Sequence, residues 1–197
     1  MTQRKKMIFL VLALALFAGV MSAILQKPNS PTTSNLAPKL GGDFELQGVN
    51  GSVKLSDFSG KAVLLFFGYT HCPDVCPITL ANVSRALKEI SPEKLDEFQM
   101  LFVSVDPKRD TVEHLNNYVQ FFDKRFIGLT DSKENLDKVV RQYGAVYRIV
   151  ELEDSAMGYG VDHSTRLYLI GKDGQIANYL YHDSSSADIA EKVSKIL

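Results

Sequence analysis

Cysteine is scarce in this chain. Of 197 residues only Cys72 and Cys76 carry thiols, and both lie in the stretch "LLFFGYTHCPDVCPITL". A bond between them closes a loop of only a few residues and removes little chain entropy, so a purely structural staple is disfavoured. Net charge is nearly absent as well, at −1, but the charge is unevenly placed. Residues 1–41 hold Arg4, Lys5, Lys6, Lys27 and Lys39 and no acid, which leaves 17 basic side chains against all 23 acids in residues 42–197. A mildly acidic body without clustered Lys/Arg excludes a nucleic-acid surface, because phosphate binding needs such clusters. No cysteine stands near Leu25, which excludes lipid attachment there. No proline follows Pro107, and no internal repeat is present.

What the N-terminus does have is a charge-free run, "MIFLVLALALFAGVMSAIL", from Met7 to Leu25. At 1.5 Å per residue it reaches about 28 Å, close to the ~30 Å hydrocarbon core. Arg4, Lys5 and Lys6 hold its start on the cytoplasmic side. The expectation is a single-pass anchor over residues 1–25 in the inner membrane, with the body in the periplasm. A cleaved signal sequence is the rival; "MSA" is a poor cleavage site and the run exceeds the usual ~7–15 residues. Residues 26–41, rich in Pro, Ser, Thr and Asn, have the composition of a flexible linker. Residues 42–197 are expected to fold as one domain.

In that domain "GDFELQGVNGSVKLSDF" reads as a hairpin turning at Asn50-Gly51. "KAVLLFFGY" and "QMLFVSVD" read as strands buried on both faces. Leu80, Val83, Leu87 and Ile90 make a helical stripe after Pro77, which suits a first helical turn. Asp110 with Glu113, and Asp131 with Glu134, look like capping starts of two more helices, with Leu115 and Val119, then Leu136, Val139 and Val140, turned inward. Gly144 is a stop for the second of them. A hairpin turning at Asp173-Gly174 and a helix over "SADIAEKVSKIL" complete the pattern. This is the element order of a thioredoxin-like α/β fold with an N-terminal hairpin and an added hairpin near the C-terminus. It puts both cysteines where the first core strand gives way to the first core helix.

Three readings of the thiols are open: disulfide switch, metal clamp or staple. A thioredoxin pair is C-x-x-C, whereas this spacing is one residue longer. Thioredoxin-like oxidoreductases also place a cis-proline opposite the pair; "YGVDHSTRLYL" offers none and supplies His163 in that neighbourhood. Two thiolates and an imidazole make a soft three-ligand set that suits Cu(I), also holds Cu(II), and is one ligand short of a closed zinc site. A helix N-terminus beside the thiols lowers their pKa, which assists both metal binding and exchange. Asp162, next to His163, is expected to orient or tune it, and Asp106, ending the second core strand, to accept hydrogen bonds near the site. Asp74 is expected to brace the loop as an Asx-turn residue. His71 is a neighbour too close in the chain to share one small metal with Cys72; His114 and His182 read as surface or capping residues. Phe66 and Phe67 read as core. Tyr159, between two glycines, is expected in a mobile loop that brings His163 in.

Taken together, "GYTHCPDVCP", "VSVDPKRDT" and "YGVDHST" resemble the Sco/SenC family of membrane-anchored copper proteins, and the likeness covers roughly residues 42–197. The resemblance implies Cys72, Cys76 and His163 as copper ligands. It implies a metallochaperone rather than an enzyme, one that helps assemble the dinuclear copper site of cytochrome c oxidase subunit II or serves another copper acceptor. A thioredoxin-like reductant would keep its thiols reduced. The alternatives are a thiol-disulfide reductase acting on target cysteines and a redox sensor.

Overall fold

The computed structural model describes residues 39–153 and 155–197, together with Gln3, Phe17 and Met21. Apart from those three residues, the expected anchor and the linker up to Pro38 lie outside the described residues; among those described, no helix is long and apolar enough to cross a membrane. Lys39–Leu197 forms one compact unit.

Two strands make its centre. β3 (Ala62–Gly68, AVLLFFG) and β4 (Phe98–Ser104, FQMLFVS) are buried at every position. Their unbroken apolar runs are what a strand covered on both faces requires. They pair in parallel, Ala62 opposite Phe98 through Gly68 opposite Ser104. β5 (Phe126–Leu129) extends the sheet in parallel beyond β4, while β8 (Arg166–Ile170) and β9 (Ile176–Tyr181) extend it antiparallel on the other side, giving the order β5-β4-β3-β8-β9. Side chains alternate across the sheet. Phe66 therefore meets Phe102, which meets Tyr118, whereas Phe67 meets Tyr143 and Tyr168.

Among the described residues four α-helices flank this sheet: α1 (Val75–Leu87), α2 (Val112–Phe122), α3 (Lys133–Gln142) and α4 (Ser186–Ser194). Leu80, Val83 and Leu87 of α1 are buried, as are Leu115 and Val119 of α2, Leu136, Val139 and Val140 of α3, and Ile189 and Val193 of α4. α1 packs on α4, and α2 on β5. At the end of α3 the amide of Gly144 reaches the Arg141 carbonyl and that of Ala145 the Val140 carbonyl, at 3.0 and 2.9 Å. Gly144 has φ +63°, so this is a Schellman stop that favours glycine. The thioredoxin-like architecture is thus present, with the N-terminal hairpin β1 (Glu45–Gly48) and β2 (Gly51–Lys54) beside it.

Several local expectations are corrected. The first hairpin turns at Val49-Asn50, with Gly51 the residue of positive φ. The caps of α2 and α3 are Thr111 and Ser132, one residue later than expected; their hydroxyls accept the amides of His114 and Asn135. Asp110 is not a cap, because its carboxylate is drawn inward by a partner 40 residues away, described below. Asp74 precedes α1 but makes no side-chain capping bond. The segment around Tyr159 is not a free loop: β6 (Tyr147–Glu151) and β7 (Tyr159–His163) form an antiparallel hairpin with Tyr147 opposite His163.

Candidate metal centre

The parallel strands β3 and β4 end together, and the polypeptide beyond them builds the site at the carboxyl edge of the sheet. β3 stops at Gly68, and a Cβ there would lie 2.7 Å from the Cys76 sulfur and 2.8 Å from the Phe102 ring. Only a hydrogen fits, so the strand end leaves the space that the thiol occupies. Cys72 lies in the loop after β3, its amide held by the Tyr69 carbonyl at 3.3 Å. Cys76 is the second residue of α1. Both are free thiols and both are buried.

His163 closes the group from the end of β7. Its Nε2 is 3.5 Å from the Cys76 sulfur, and one ligand atom from each of Cys72, Cys76 and His163 lies within 4.8 Å of the others. Its Nδ1 is 3.0 Å from the Ser164 carbonyl. A carbonyl only accepts, so Nδ1 carries a hydrogen, and Nε2 is the ring nitrogen turned toward the sulfurs. The ring stands edge-on to Phe66 and Tyr69, at 6.0 and 5.7 Å between centroids. Phe66 is core, as expected, and it also steers the imidazole.

The two thiols are electrostatically unequal. The Cys72 pKa is pulled down to about 4, first by the hydrogen bond from Cys76, then by His163 and the amides of Asp74 and Cys76, against the opposing effect of burial. Burial above all pushes Cys76 well up, reinforced by its bond to Cys72 and by the charge there. The pair therefore rests as a Cys72 thiolate bonded by a Cys76 thiol. The amides at the start of α1 favour the negative sulfur, as a helix N-terminus does. Soft, partly ionised sulfur and an imidazole nitrogen are donors that fit a soft metal ion.

The structure separates the two acidic residues expected beside the site. Asp106 is buried, accepts the Tyr159 hydroxyl at 2.8 Å and pairs with Arg109. Asp162 points away: its exposed carboxylate takes two bonds from Arg148 across the hairpin, at 2.8 and 2.9 Å, and is not a partner of the His163 ring. The bond that fixes His163 comes from the Ser164 backbone instead. Sequence reasoning missed Gly68 and Arg109. The Arg109 guanidinium lies 3.7 Å from the Tyr159 ring centroid and donates to the Tyr159 carbonyl at 3.0 Å, clamping the hairpin that carries His163.

Fold and site together define a thioredoxin-like domain whose redox position brings two thiols and one imidazole together. The SCO1/SenC family model matches residues 32–197, and the chain belongs to that family. It is 40% identical over 159 residues to the human protein SCO1 homolog, mitochondrial, covering 80% of this chain and 52% of that one, so it spans about half the length of that relative. A SCO2-like protein of Rickettsia felis is 32% identical over 201 residues, covering 97% and 98% of the two chains. Among solved structures, Arabidopsis thaliana ScoI with copper bound is similar at TM-score 0.73 and 36% identity over 79% of this chain and 96% of that one. Bradyrhizobium japonicum ScoI with copper bound is similar at TM-score 0.72 and 34% identity, over 80% and 99%.

Proposed function

We propose that this protein is a membrane-anchored copper chaperone that holds the ion through Cys72, Cys76 and His163 and passes it to the dinuclear copper site of cytochrome c oxidase subunit II. The observation that carries the reading is the convergence of two sulfurs and one imidazole nitrogen within 4.8 Å. Copper-bound relatives with the same fold support it. Three donors hold a soft ion without closing its coordination shell, which suits cargo that must leave again. Residues 1–25 would tether the domain to the inner membrane with its thiols on the periplasmic side, and residues 26–41 would give it reach.

A second reading, a thiol-disulfide reductase acting on the acceptor's cysteines, is favoured by the low pKa of Cys72, since the thiolate is the attacking species. Copper titration of the full chain separates the two. The chaperone reading predicts one Cu(I) per reduced chain and none after the thiols are oxidised, because the ligand is the thiolate. No copper binding by the reduced chain, with disulfide exchange intact, would put the reductase reading ahead.

A further inference from the structure

Beside the thiols lies a second group of donors. Asp110 has a side chain with no solvent exposure. Its Oδ2 accepts the Thr70 amide at 2.9 Å and the Ser104 hydroxyl at 2.5 Å, and its Oδ1 accepts the Thr70 hydroxyl at 2.5 Å. Among the described residues no lysine or arginine pairs with it, as Arg109 is taken by Asp106. A buried carboxylate without a cation is costly. What faces it instead is two imidazoles. His71 Nδ1 is 3.8 Å from Oδ1, and both His71 Nδ1 and His114 Nε2 point at the Thr70 hydroxyl, at 3.0 and 3.1 Å. The two rings lie 6.1 Å apart on the surface.

We propose that His71, Asp110 and His114 form a second metal site, which takes a divalent first-row transition ion such as Zn(II) or Co(II). Their three ligand atoms all lie within 4.8 Å of one another. Bonds of about 2.0–2.2 Å to nitrogen and oxygen put ligand atoms roughly 3.4 Å apart in a tetrahedral site. The carboxylate is already fixed, and the two exposed rings need only turn inward. The Thr70 hydroxyl has one hydrogen, which it gives to Asp110, so it accepts from both imidazoles. Binding moves the hydrogens of His71 Nδ1 and His114 Nε2 to the opposite ring nitrogens and frees those lone pairs for the ion. Imidazole and carboxylate suit borderline divalent ions, whereas Cu(I) prefers the sulfurs. The site is therefore distinct in ligands and in metal preference from the thiol centre, although His71 adjoins Cys72.

The test is a Co(II) titration of the reduced full chain in detergent, followed by absorption. The expected result is two equivalents, one with thiolate-to-metal charge transfer and one with only the weak bands of nitrogen and oxygen ligands. His114→Ala, a change at an exposed position, should weaken the second equivalent by about tenfold or more and spare the first, since a lost ligand costs at least what a lost supporting group does. A Cys72→Ala, Cys76→Ala chain should lose the first and keep the second. Zn(II) should shift the ring resonances of His71 and His114 in wild type. A single equivalent in wild type, or a second equivalent indifferent to His114→Ala, would overturn the proposal.

Discussion

His163 Nε2 stands 3.5 Å from the Cys76 sulfur, although 87 residues separate the two in the chain. Neither residue places itself. Cys76 is set by the start of α1 and by the gap at Gly68, and His163 by the end of β7, by Ser164 and by two aromatic rings.

Gly68→Ala should destabilise the domain. The added Cβ would meet the Cys76 sulfur at 2.7 Å and the Phe102 ring at 2.8 Å, and both are buried. Overpacking of this kind costs about 1–3 kcal/mol. The urea midpoint should fall with an unchanged slope. A variant as stable as wild type would mean that the strand end has room to spare.

Labelling should tell the two thiols apart. With its folded pKa at about 4, well below that of a free thiol, Cys72 is already a thiolate throughout neutral and mildly acidic solution. Its rate with iodoacetamide should then be nearly flat from about pH 5.5 to 8, where a free cysteine, with pKa of about 8.5, rises roughly tenfold per pH unit. Cys76 should lag at every pH, since burial favours its protonated form. Peptide mapping by mass spectrometry reads both rates, and a steep profile for Cys72 would contradict the assignment.

Arg109→Ala should loosen the clamp on the His163 hairpin. It removes the stack on Tyr159 and leaves the buried Asp106 without its cation. Breaking such a pair costs about 3 kcal/mol or more. Amide exchange should speed up across β6 and β7 more than in β3 and β4. Arg109→Lys should rescue little, because an ammonium lacks the planar fork that stacks and bonds at once. Uniform exchange throughout the domain would argue against a local clamp.

Much of this was legible in the sequence because it depends on local pattern. β3 and β4 announce themselves as long apolar runs, and the buried stripes of all four helices follow a 3.6-residue period. Cys72, Cys76 and His163 were legible as a group through three motifs. The rest depends on contacts between distant segments. β5 is only four residues long. Among the described residues β6 and β7 pair only with each other, and Arg148, Ile149, Glu151 and Asp162 are exposed, so neither carries a clear apolar face. Asp110 has the look of a helix cap, but Thr70 and Ser104 recruit it into the interior and leave the cap to Thr111. Asp162 adjoins His163 in the chain, yet alternation along β7 turns the two side chains to opposite faces. Arg109 reads as one more surface charge until its stack on Tyr159 is seen.

The central claim, that His163 completes a copper site with the two thiols, is tested most directly by copper stoichiometry and absorption of reduced wild type against His163→Ala. Cu(I) accepts two sulfurs alone, whereas Cu(II) prefers more donors and a nitrogen among them. The variant should lose most Cu(II) at the thiols and its thiolate-to-copper absorption, keep weakened Cu(I), and still form the Cys72–Cys76 disulfide. Equal binding of both oxidation states by the variant and by wild type would contradict the account.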